Sequence, residues 1–267
     1  MNFLVAYKAE ALSLIEFYSL KKIHHPASLI YQNDHHSLII SGPGKDNVTS
    51  AIENLLNLNG SQNQAWLNLG IAGHESLAKG GIFIAAKIQD ESNEEIFYPP
   101  QIYSHSISTS CLITLDTPSS DYRDGMGFDM EAYAFYKTAS NYSIRELIQA
   151  IKIVSDNPSH PLKSFNPKEV PELIDAHIEK VDELVNQIEK ASEIMKNDYD
   201  TQKASDKFLK LHHFSVTRTH QLNELVHHSK ILRLDLCQIE EIIKSATDAG
   251  DAIKKVTSFL APHRKLG

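Results

Sequence analysis

Short apolar runs alternate with helical patterns along the first part of the chain. Apolar runs that fit β-strands lie at 3–6, 27–31, 37–41, 65–69, 81–88, 94–98, 111–115 and 149–154. Between and after them, helical spacing covers about 9–20, 46–58 and 130–140, and a long helix is predicted from about Lys168. This alternation predicts an α/β fold, with a mixed central sheet flanked by helices.

The pattern becomes helical after about Asp175. Two apolar seams alternate steps of four and three residues: His177, Val181, Leu184, Ile188, Ala191 and Met195, then Leu232, Leu236, Ile239, Ile243, Ala246, Gly250 and Ile253. Such a seam lies along one face of a helix and packs against a neighbour. We therefore predict an α/β domain over 1–195 and a C-terminal helical hairpin extension over 196–267, which packs against the domain or another subunit.

Composition and charge narrow the possible functions. Of the 267 residues, 42% are hydrophobic and 22% are charged, which is typical of a globular protein. The formal net charge is −8 and few of the basic residues are arginines, so nucleic acid is not an expected partner. No apolar run approaches the roughly 20 residues that span a bilayer, and the N-terminus lacks a secretion signal, so we expect a cytoplasmic protein without a membrane partner.

Cysteines and histidines give little sign of a metal or redox site. Cys111 and Cys237 form no CxxC pair. His213, His220 and His227 recur every seven residues and could share one helix face, but no HExxH motif accompanies them and polar helix faces often carry histidines. We expect neither a metal nor a cofactor.

Two glycine-containing turns follow predicted strands. The segments Asn68–Gly73 (NLGIAG) and Gly42–Lys45 (GPGK) each let the backbone turn sharply and approach a ligand at the carboxyl end of a strand. Neither has the GxxxxGK[ST] spacing of a nucleoside-triphosphate loop or the GxGxxG dinucleotide motif. By themselves they are more simply structural turns.

Three acidic residues lie at corresponding ends of predicted elements. Glu10 follows the first strand, Glu131 begins a helix, and Asp156 follows the strand at 149–154. Each alone fits a helix cap or a solvated surface residue. Because ligands of open α/β sheets bind beyond the carboxyl ends of the strands, three acids at such positions favour a functional site.

Taken in order, these segments resemble the nucleoside phosphorylase superfamily, most closely its methylthioadenosine/S-adenosylhomocysteine nucleosidases. The matching segments are Glu10, SGPGKDN at 41–47, NLGIAG at 68–73 with GGIFIA at 80–85, FDMEAYA at 128–134, and VSDN at 154–157 with Phe165 shortly after. The resemblance covers roughly residues 1–190. It implies a nucleoside phosphorylase-like fold and a hydrolase that cleaves the N-glycosidic bond of a purine nucleoside or thionucleoside.

The resemblance also implies a role for each candidate residue. Asp156 matches the family's general acid, which protonates the purine at N7, and Glu10 matches the residue that holds and deprotonates the attacking water. Glu131 is expected to accept hydrogen bonds from the ribose hydroxyls, while Asp129 beside it is expected to cap the helix. The other expected substrate-binding residues are Ile71, Ala72, Gly73, Phe128, Met130, Ser155 and Phe165.

Water is favoured over phosphate as the nucleophile. Phosphorylases of this superfamily hold phosphate with arginines, one of them ahead of the glycine turn, where this chain has Asn68. Lys45 and the helix start behind it leave a phosphorylase open as an alternative, and a nucleoside-binding or assembly protein without turnover is a second. The family forms homo-oligomers, so we expect a homo-oligomer, with a dimer favoured.

The sequence departs from the family at two places near the general acid and the base. Lys152 stands where the family carries an arginine, four residues before Asp156. The segment Thr114–Ser119 (TLDTPS) replaces the segment that clamps the base, and Pro118 cannot stack as an aromatic ring does. The identity of the base therefore stays open.

Overall fold

The computed structural model describes residues 1–59, 64–123, 125–232 and 234–263, with the backbone alone described at 197–200. The strands in these ranges are β1 Asn2–Val5, β2 Lys21–Ile23, β3 Leu29–Gln32, β4 Ser37–Ile40, β5 Trp66–His74, β6 Ile82–Asp90, β7 Ile96–Phe97, β8 Ser108–Thr114, β9 Gly127–Asp129 and β10 Ile148–Asp156. The α-helices are α1 Lys8–Phe17, α2 Lys45–Asn59, α3 Ala132–Ala139, α4 Val170–Asp175, α5 Ile178–Phe208, α6 Val216–Ile231, α7 Leu236–Lys244 and α8 Ala249–Leu260.

The strands form one mixed sheet, as the sequence predicts. They pair in the order β10-β6-β8-β9-β5-β1-β4-β3-β2, with β7 on β6, and β10 pairs with β5 as well. This extra pairing closes β5, β10, β6, β8 and β9 into a ring of strands. The strands β4, β1, β5 and β10 are parallel neighbours, whereas β2, β3 and β4 pair antiparallel.

Alternate strand residues pack into two cores, because successive side chains of a strand point to opposite faces. On β1, Leu4 joins the core that α2 and α3 cover, whereas Phe3 and Val5 join the core that α1, α4 and the first part of α5 cover. All three side chains are fully buried. The sheet is therefore covered by helices on both faces, and this leaves its edge, where the parallel strands end, for a site.

Two short strands were not predicted from the sequence. The strand β9 has three residues and pairs with β5 on one side and β8 on the other, so its conformation depends on distant partners rather than on a local pattern. Phe128 and Asp129, which directly precede the helix predicted at about 130–140, lie on this strand, and the helix begins at Ala132. The strand β2 is likewise short and pairs with β3 at the end of the sheet.

The chain divides into two compact units, Met1–Ser192 and Glu193–Gly267. The second unit holds the end of α5 and the helices α6, α7 and α8, so the segment expected as a hairpin contains three further helices. The apolar seam predicted as one helix is split between α7 and α8, because Asp248 caps a new helix by accepting bonds from the N–H groups of Gly250 and Asp251. The core of the second unit includes Phe208, Val226 and Ile243.

Across the ranges that the structure describes, none of the helices combines the length and the apolar character needed to span a bilayer.

Candidate active site

A cavity of about 490 Å³ lies where β1, β5 and β10 end. Glu10, Glu131 and Asp156 all line it, and these residues are 2%, 6% and 3% exposed. All of the other residues that the sequence marks as substrate-binding line it as well: Ile71, Ala72, Gly73, Phe128, Met130, Ser155 and Phe165. The structure thus brings the whole predicted set together around one cavity.

Glu10 is held at the start of α1, directly after β1. Its Oε2 accepts hydrogen bonds from the backbone N–H groups of Ala6 at 2.8 Å and Tyr7 at 2.9 Å, and its Oε1 accepts one from Ile71 at 2.9 Å. Burial raises the pKa of Glu10 above its usual value, while the charge of Lys152 and the three N–H groups oppose this shift. The start of α1 therefore fixes a buried carboxyl group against the glycine-containing segment of β5.

The absence of a side chain at Gly70 makes room for this arrangement. A Cβ atom at this position would lie 2.8 Å from Glu10 Oε1 and 3.5 Å from Lys152 Nζ. Any larger residue would displace the carboxyl group, because real Cβ contacts are not this short. The first glycine of the NLGIAG segment thus serves a close approach of a side chain and not a turn, since Gly70 lies within β5.

Lys152 lies on β10 among three carboxyl groups. The residue is 1% exposed, and its Nζ is 2.8 Å from Asp129 Oδ2. Burial lowers the pKa of Lys152, but the charges of Asp129, Glu131 and Glu10 outweigh this and raise it above the usual value. Lys152 is therefore held as a cation behind the cavity.

Asp129 does more than cap a helix. Its Oδ2 accepts a bond from the N–H of Ala132, the first residue of α3, at 2.8 Å, so it satisfies one N–H group at the helix start, although Glu131 occupies the N-cap position. Its Oδ1 also accepts a bond from the hydroxyl of Thr114 at 2.7 Å, and the same carboxylate pairs with Lys152. Asp129 thus ties β9, β8 and β10 together behind the cavity.

Glu131 occupies the position just before α3. Its Oε1 accepts a hydrogen bond from the N–H of Gly44 at 3.0 Å. Gly44 has a φ of +93°, a conformation that favours glycine, so the turn after β4 can present this N–H group to the carboxyl. Burial, followed by the charge of Asp129, raises the pKa of Glu131 to about 7, although Lys152 opposes the shift.

Asp156 ends β10, at an irregularity in the pairing with β5. The register shifts between Val154 and Asp156, which is typical of a β-bulge that redirects a side chain. The hydroxyl of Ser155 donates to Asp156 Oδ1 at 2.5 Å. The phenolic hydroxyl of Tyr122 donates to Oδ2 at 2.5 Å. Both oxygens of the expected general acid therefore have a hydroxyl partner.

Tyr122 belongs to the site as well, although no pattern in the sequence indicates it. It lies in the polar segment between β8 and β9, where no apolar periodicity distinguishes it from its neighbours. Its ring packs against the cluster of Ile113, Leu115 and Phe128, and burial, followed by the hydrogen bond to Asp156, raises the pKa of the phenol to about 12. The available signal was an aromatic residue within a largely polar loop between two strands.

The rest of the cavity wall is mainly apolar. Leu115, Pro118 and Ser119 line the cavity from the segment expected to clamp the base. Leu162 and Phe165 line it from the segment that follows β10. The cavity thus combines an apolar wall with a polar end that carries the carboxyl groups, an arrangement that fits a small organic ligand.

Basic groups are scarce around the cavity. Among the described lining residues, Lys8 is the one basic side chain. Lys45 is the residue that kept a phosphorylase as an alternative in the sequence. It forms ion pairs with Asp90 Oδ2 at 2.5 Å and Asp116 Oδ1 at 2.7 Å. Its charge is therefore already compensated by two carboxylates. Within the described part of the chain, no three His, Cys, Asp or Glu side chains are arranged to hold a metal ion.

Comparison with known proteins identifies the fold. No protein-family model matches the chain, and no curated protein matches it. Among solved structures, a 5′-methylthioadenosine/S-adenosylhomocysteine nucleosidase from Campylobacter jejuni is 18% identical with a TM-score of 0.54, over 67% of this chain and 95% of that one. The 5′-methylthioadenosine nucleosidase of Arabidopsis thaliana is 15% identical with a TM-score of 0.57, over 70% and 94% of the two chains. An MTA/SAH nucleosidase from Streptococcus pneumoniae, solved with 8-aminoadenine, is 16% identical with a TM-score of 0.54, over 68% and 96%.

The chain thus has a nucleoside phosphorylase-like α/β fold. Within this class its fold is most like that of the methylthioadenosine/S-adenosylhomocysteine nucleosidases, so the resemblance predicted from the sequence is confirmed for the fold. At identities of 12–18%, the likeness concerns the fold and leaves the activity to be argued from the site.

Proposed function

We propose that this chain is a hydrolase that cleaves the N-glycosidic bond of a purine nucleoside or thionucleoside, with water as the nucleophile. The observation that carries the proposal is the convergence of Glu10, Glu131 and Asp156 on one cavity. Breaking a ribosyl C–N bond builds positive charge on the sugar and negative charge on the base. A site for this reaction needs a proton donor at the base, anionic groups at the sugar and a base for water, and three carboxyl groups can supply these functions.

The proposed reaction assigns one step to each carboxyl group. The C1′–N bond breaks with its electron pair passing to the base, and Asp156 gives a proton to N7 of that base. Glu131 accepts hydrogen bonds from the ribose hydroxyls. The oxygen of water bonds to C1′ and its proton passes to Glu10, so the products are a free base and a reducing sugar. The packing of Met130 against the sugar completes the proposed set.

The proposed nucleophile is water because the cavity offers little to hold a phosphate. Phosphate sites are typically built from arginine forks or several cationic donors. The cavity lining that the structure describes contains Lys8, an exposed residue, and no arginine. Lys45 and Lys152 are engaged by carboxylates. A phosphorylase would need to recruit phosphate against this concentration of negative charge.

The test is a release assay for free base on a panel of purine nucleosides and 5′-thionucleosides, with mass-spectrometric detection, with and without phosphate. We expect release that does not depend on phosphate and that Asp156→Asn lowers by at least about 100-fold, as loss of a general acid does. Asp34→Asn, which changes an exposed acid outside the cavity, is the matched control and keeps the wild-type rate.

The same assay, together with a direct measurement of nucleoside binding, separates the alternatives. Release that requires phosphate selects a phosphorylase. Binding of a nucleoside without release from any member of the panel selects the non-catalytic binding protein. In either case the proposed hydrolase is wrong.

A further inference from the structure

Tyr122 combines an anchored ring with a hydroxyl that bonds to Asp156, a residue that lines the cavity. Its neighbours in sequence, Asp121 and Arg123, are exposed, whereas Tyr122 is half-buried and packs on the apolar cluster that includes Leu115. The backbone N–H of Leu162 donates to the phenolic oxygen at 3.2 Å. The oxygen is thereby occupied as an acceptor, which leaves its own proton for the carboxyl group of Asp156.

Three chain segments therefore meet at one hydroxyl group. Tyr122 belongs to the 115–123 segment, which lines the cavity through Leu115, Pro118 and Ser119. Leu162 belongs to the segment that follows β10, and Asp156 is the last residue of that strand. The hydroxyl of Tyr122 thus connects the expected proton donor to the wall on either side of it.

The absence of a side chain at Gly73 allows this contact. A Cβ atom there would lie 2.9 Å from Asp156 Oδ2 and 3.2 Å from Tyr122 Cε1. The carboxyl group and the phenol ring consequently pack directly on the backbone of β5. The backbone of β5, the hydroxyl of Tyr122 and the hydroxyl of Ser155 all contact the carboxyl group of Asp156, which leaves it little freedom to rotate.

We propose that Tyr122 is a positioning residue for proton transfer, which orients the carboxyl group of Asp156 toward the leaving base and stabilises the carboxylate that remains after the proton has moved. This inference rests on the proposed function. Hydrogen bonds to a charged group are stronger than those to a neutral one, so the bond from Tyr122 strengthens as Asp156 becomes a carboxylate. The gain falls in the transition state, where it accelerates the reaction.

The test compares Tyr122→Phe with the wild-type protein on two substrates. Phenylalanine keeps the ring packing and removes the hydroxyl alone. On the purine nucleoside that the wild-type protein cleaves best, we expect kcat to fall about 10- to 100-fold with KM within about twofold. On 4-nitrophenyl riboside, whose nitrophenolate leaves without taking a proton, we expect the rates to agree within about threefold.

Tyr103→Phe is the matched control. Tyr103 is also half-buried, and its hydroxyl donates to the carbonyl oxygen of Glu146 at 2.7 Å. Glu146, unlike Asp156, is not among the described residues that line the cavity. The Tyr103→Phe variant loses a comparable hydrogen bond, so its rates show how far a general loss of stability affects activity. We expect wild-type rates on both substrates.

Two results overturn the inference while the proposed function stands. In one, Tyr122→Phe keeps the wild-type kcat on the nucleoside. In the other, it loses the same factor on both substrates, which indicates a structural effect. If the wild-type protein does not cleave the nitrophenyl riboside, the N7-methylated form of the same nucleoside replaces it, because its base already carries a positive charge. If the wild-type protein releases no base from any nucleoside, the proposed function fails, and the inference fails with it.

Discussion

The carboxyl groups of the cavity differ in their surroundings, although all three are buried. Glu10 accepts three backbone N–H bonds, Glu131 accepts one, and Asp156 has two hydroxyl partners. Burial raises the pKa of Glu131 to about 7, and the charge of Asp129 adds to the shift. Near neutral pH, Glu131 therefore exchanges its proton within the range where an enzyme of this kind would work.

The raised pKa of Glu131 makes the stability of the fold depend on pH. The folded-state value of about 7 lies above the usual 4.5, so the folded chain binds this proton more tightly than the unfolded chain does. The contribution is fully present below about pH 4.5 and is lost as the pH rises through about 7. Glutamine cannot ionise and keeps an acceptor for Gly44. From pH 5 to 8 we expect the wild-type protein to lose on the order of 2 kcal/mol more stability than Glu131→Gln does.

Urea unfolding at the two pH values measures this difference. Glu53→Gln changes an exposed acid on α2 and should lose as much stability as the wild-type protein. Parallel losses in the wild-type protein and in Glu131→Gln would contradict the raised pKa.

Among individual residues, the acids were more predictable from the sequence than their hydrogen-bond and ion-pair partners. Glu10, Glu131 and Asp156 stand out because acids at the ends of predicted strands and helices can converge at one sheet edge, and the family resemblance adds their order. Tyr122 and the pairing of Asp129 with Lys152 could not be predicted in this way. The contacts of Tyr122 with Asp156 and of Asp129 with Lys152 each join separate segments of the chain. No local pattern in the sequence indicates which residues form these pairs.

At the scale of elements, Lys152 links structures that the backbone does not join. It lies on β10 and compensates Asp129 at the end of β9, Glu131 before α3, and Glu10 on α1. Removing one partner from a buried ionic cluster leaves uncompensated charge in a poorly solvated place. The lysine therefore supports the relative placement of the cavity-lining elements.

Lys152→Met tests this support. We expect a loss of about 3 kcal/mol in the free energy of unfolding at pH 7. The loss should be smaller at pH 5, because burial favours the protonated forms of Glu10 and Glu131 once the ammonium group is gone. Urea unfolding at both pH values measures it. Lys137→Met, which breaks an exposed ion pair with Glu95, is the control and should cost at most about 1 kcal/mol. Equal, small losses in both variants would contradict the role of Lys152.

The elements themselves were largely predictable. Long strands and helices carry their periodicity in the sequence, and this is why β10 and α2 lie within two residues of their predicted bounds. The strand β5 begins where it was predicted but continues through Asn68–Gly73, which was predicted as a turn, because it pairs with β10 along this length. The other differences between the predicted and the observed elements depend on particular contacts. The start of α8 depends on a cap at Asp248, and β9 forms because two longer strands flank it.

At the scale of the whole molecule, the two compact units have separate buried cores. Two clusters belong to the first unit, and a third, built around residues such as Leu222 and Val256, belongs to the second. The match to the solved nucleosidases covers about two thirds of this chain and nearly all of theirs. We propose that residues 1–195 are a self-sufficient α/β domain and that 196–267 are an addition to it. A dimer stays a prediction, which sedimentation of the full chain would check.

A fragment of residues 1–195 tests this division. Because the described cavity-lining residues all lie before residue 171, we expect the fragment to unfold cooperatively and to release base within about threefold of the full chain. Thermal unfolding followed by circular dichroism and the release assay measure the two properties. A fragment that is unfolded, or folded but inactive, would show that the C-terminal residues are required.

One ammonium group among three carboxyl groups gives the floor of the cavity an excess of negative charge, which increases as Glu131 loses its proton. This negative charge stabilises a neutral sugar little until the bond to the base stretches and the sugar becomes positive. A sugar-like ring that already carries a proton is stabilised as soon as it binds. Protonated iminosugars should therefore bind more tightly than their neutral ring-oxygen counterparts, and the selectivity should widen across neutral pH for as long as the iminosugar stays charged.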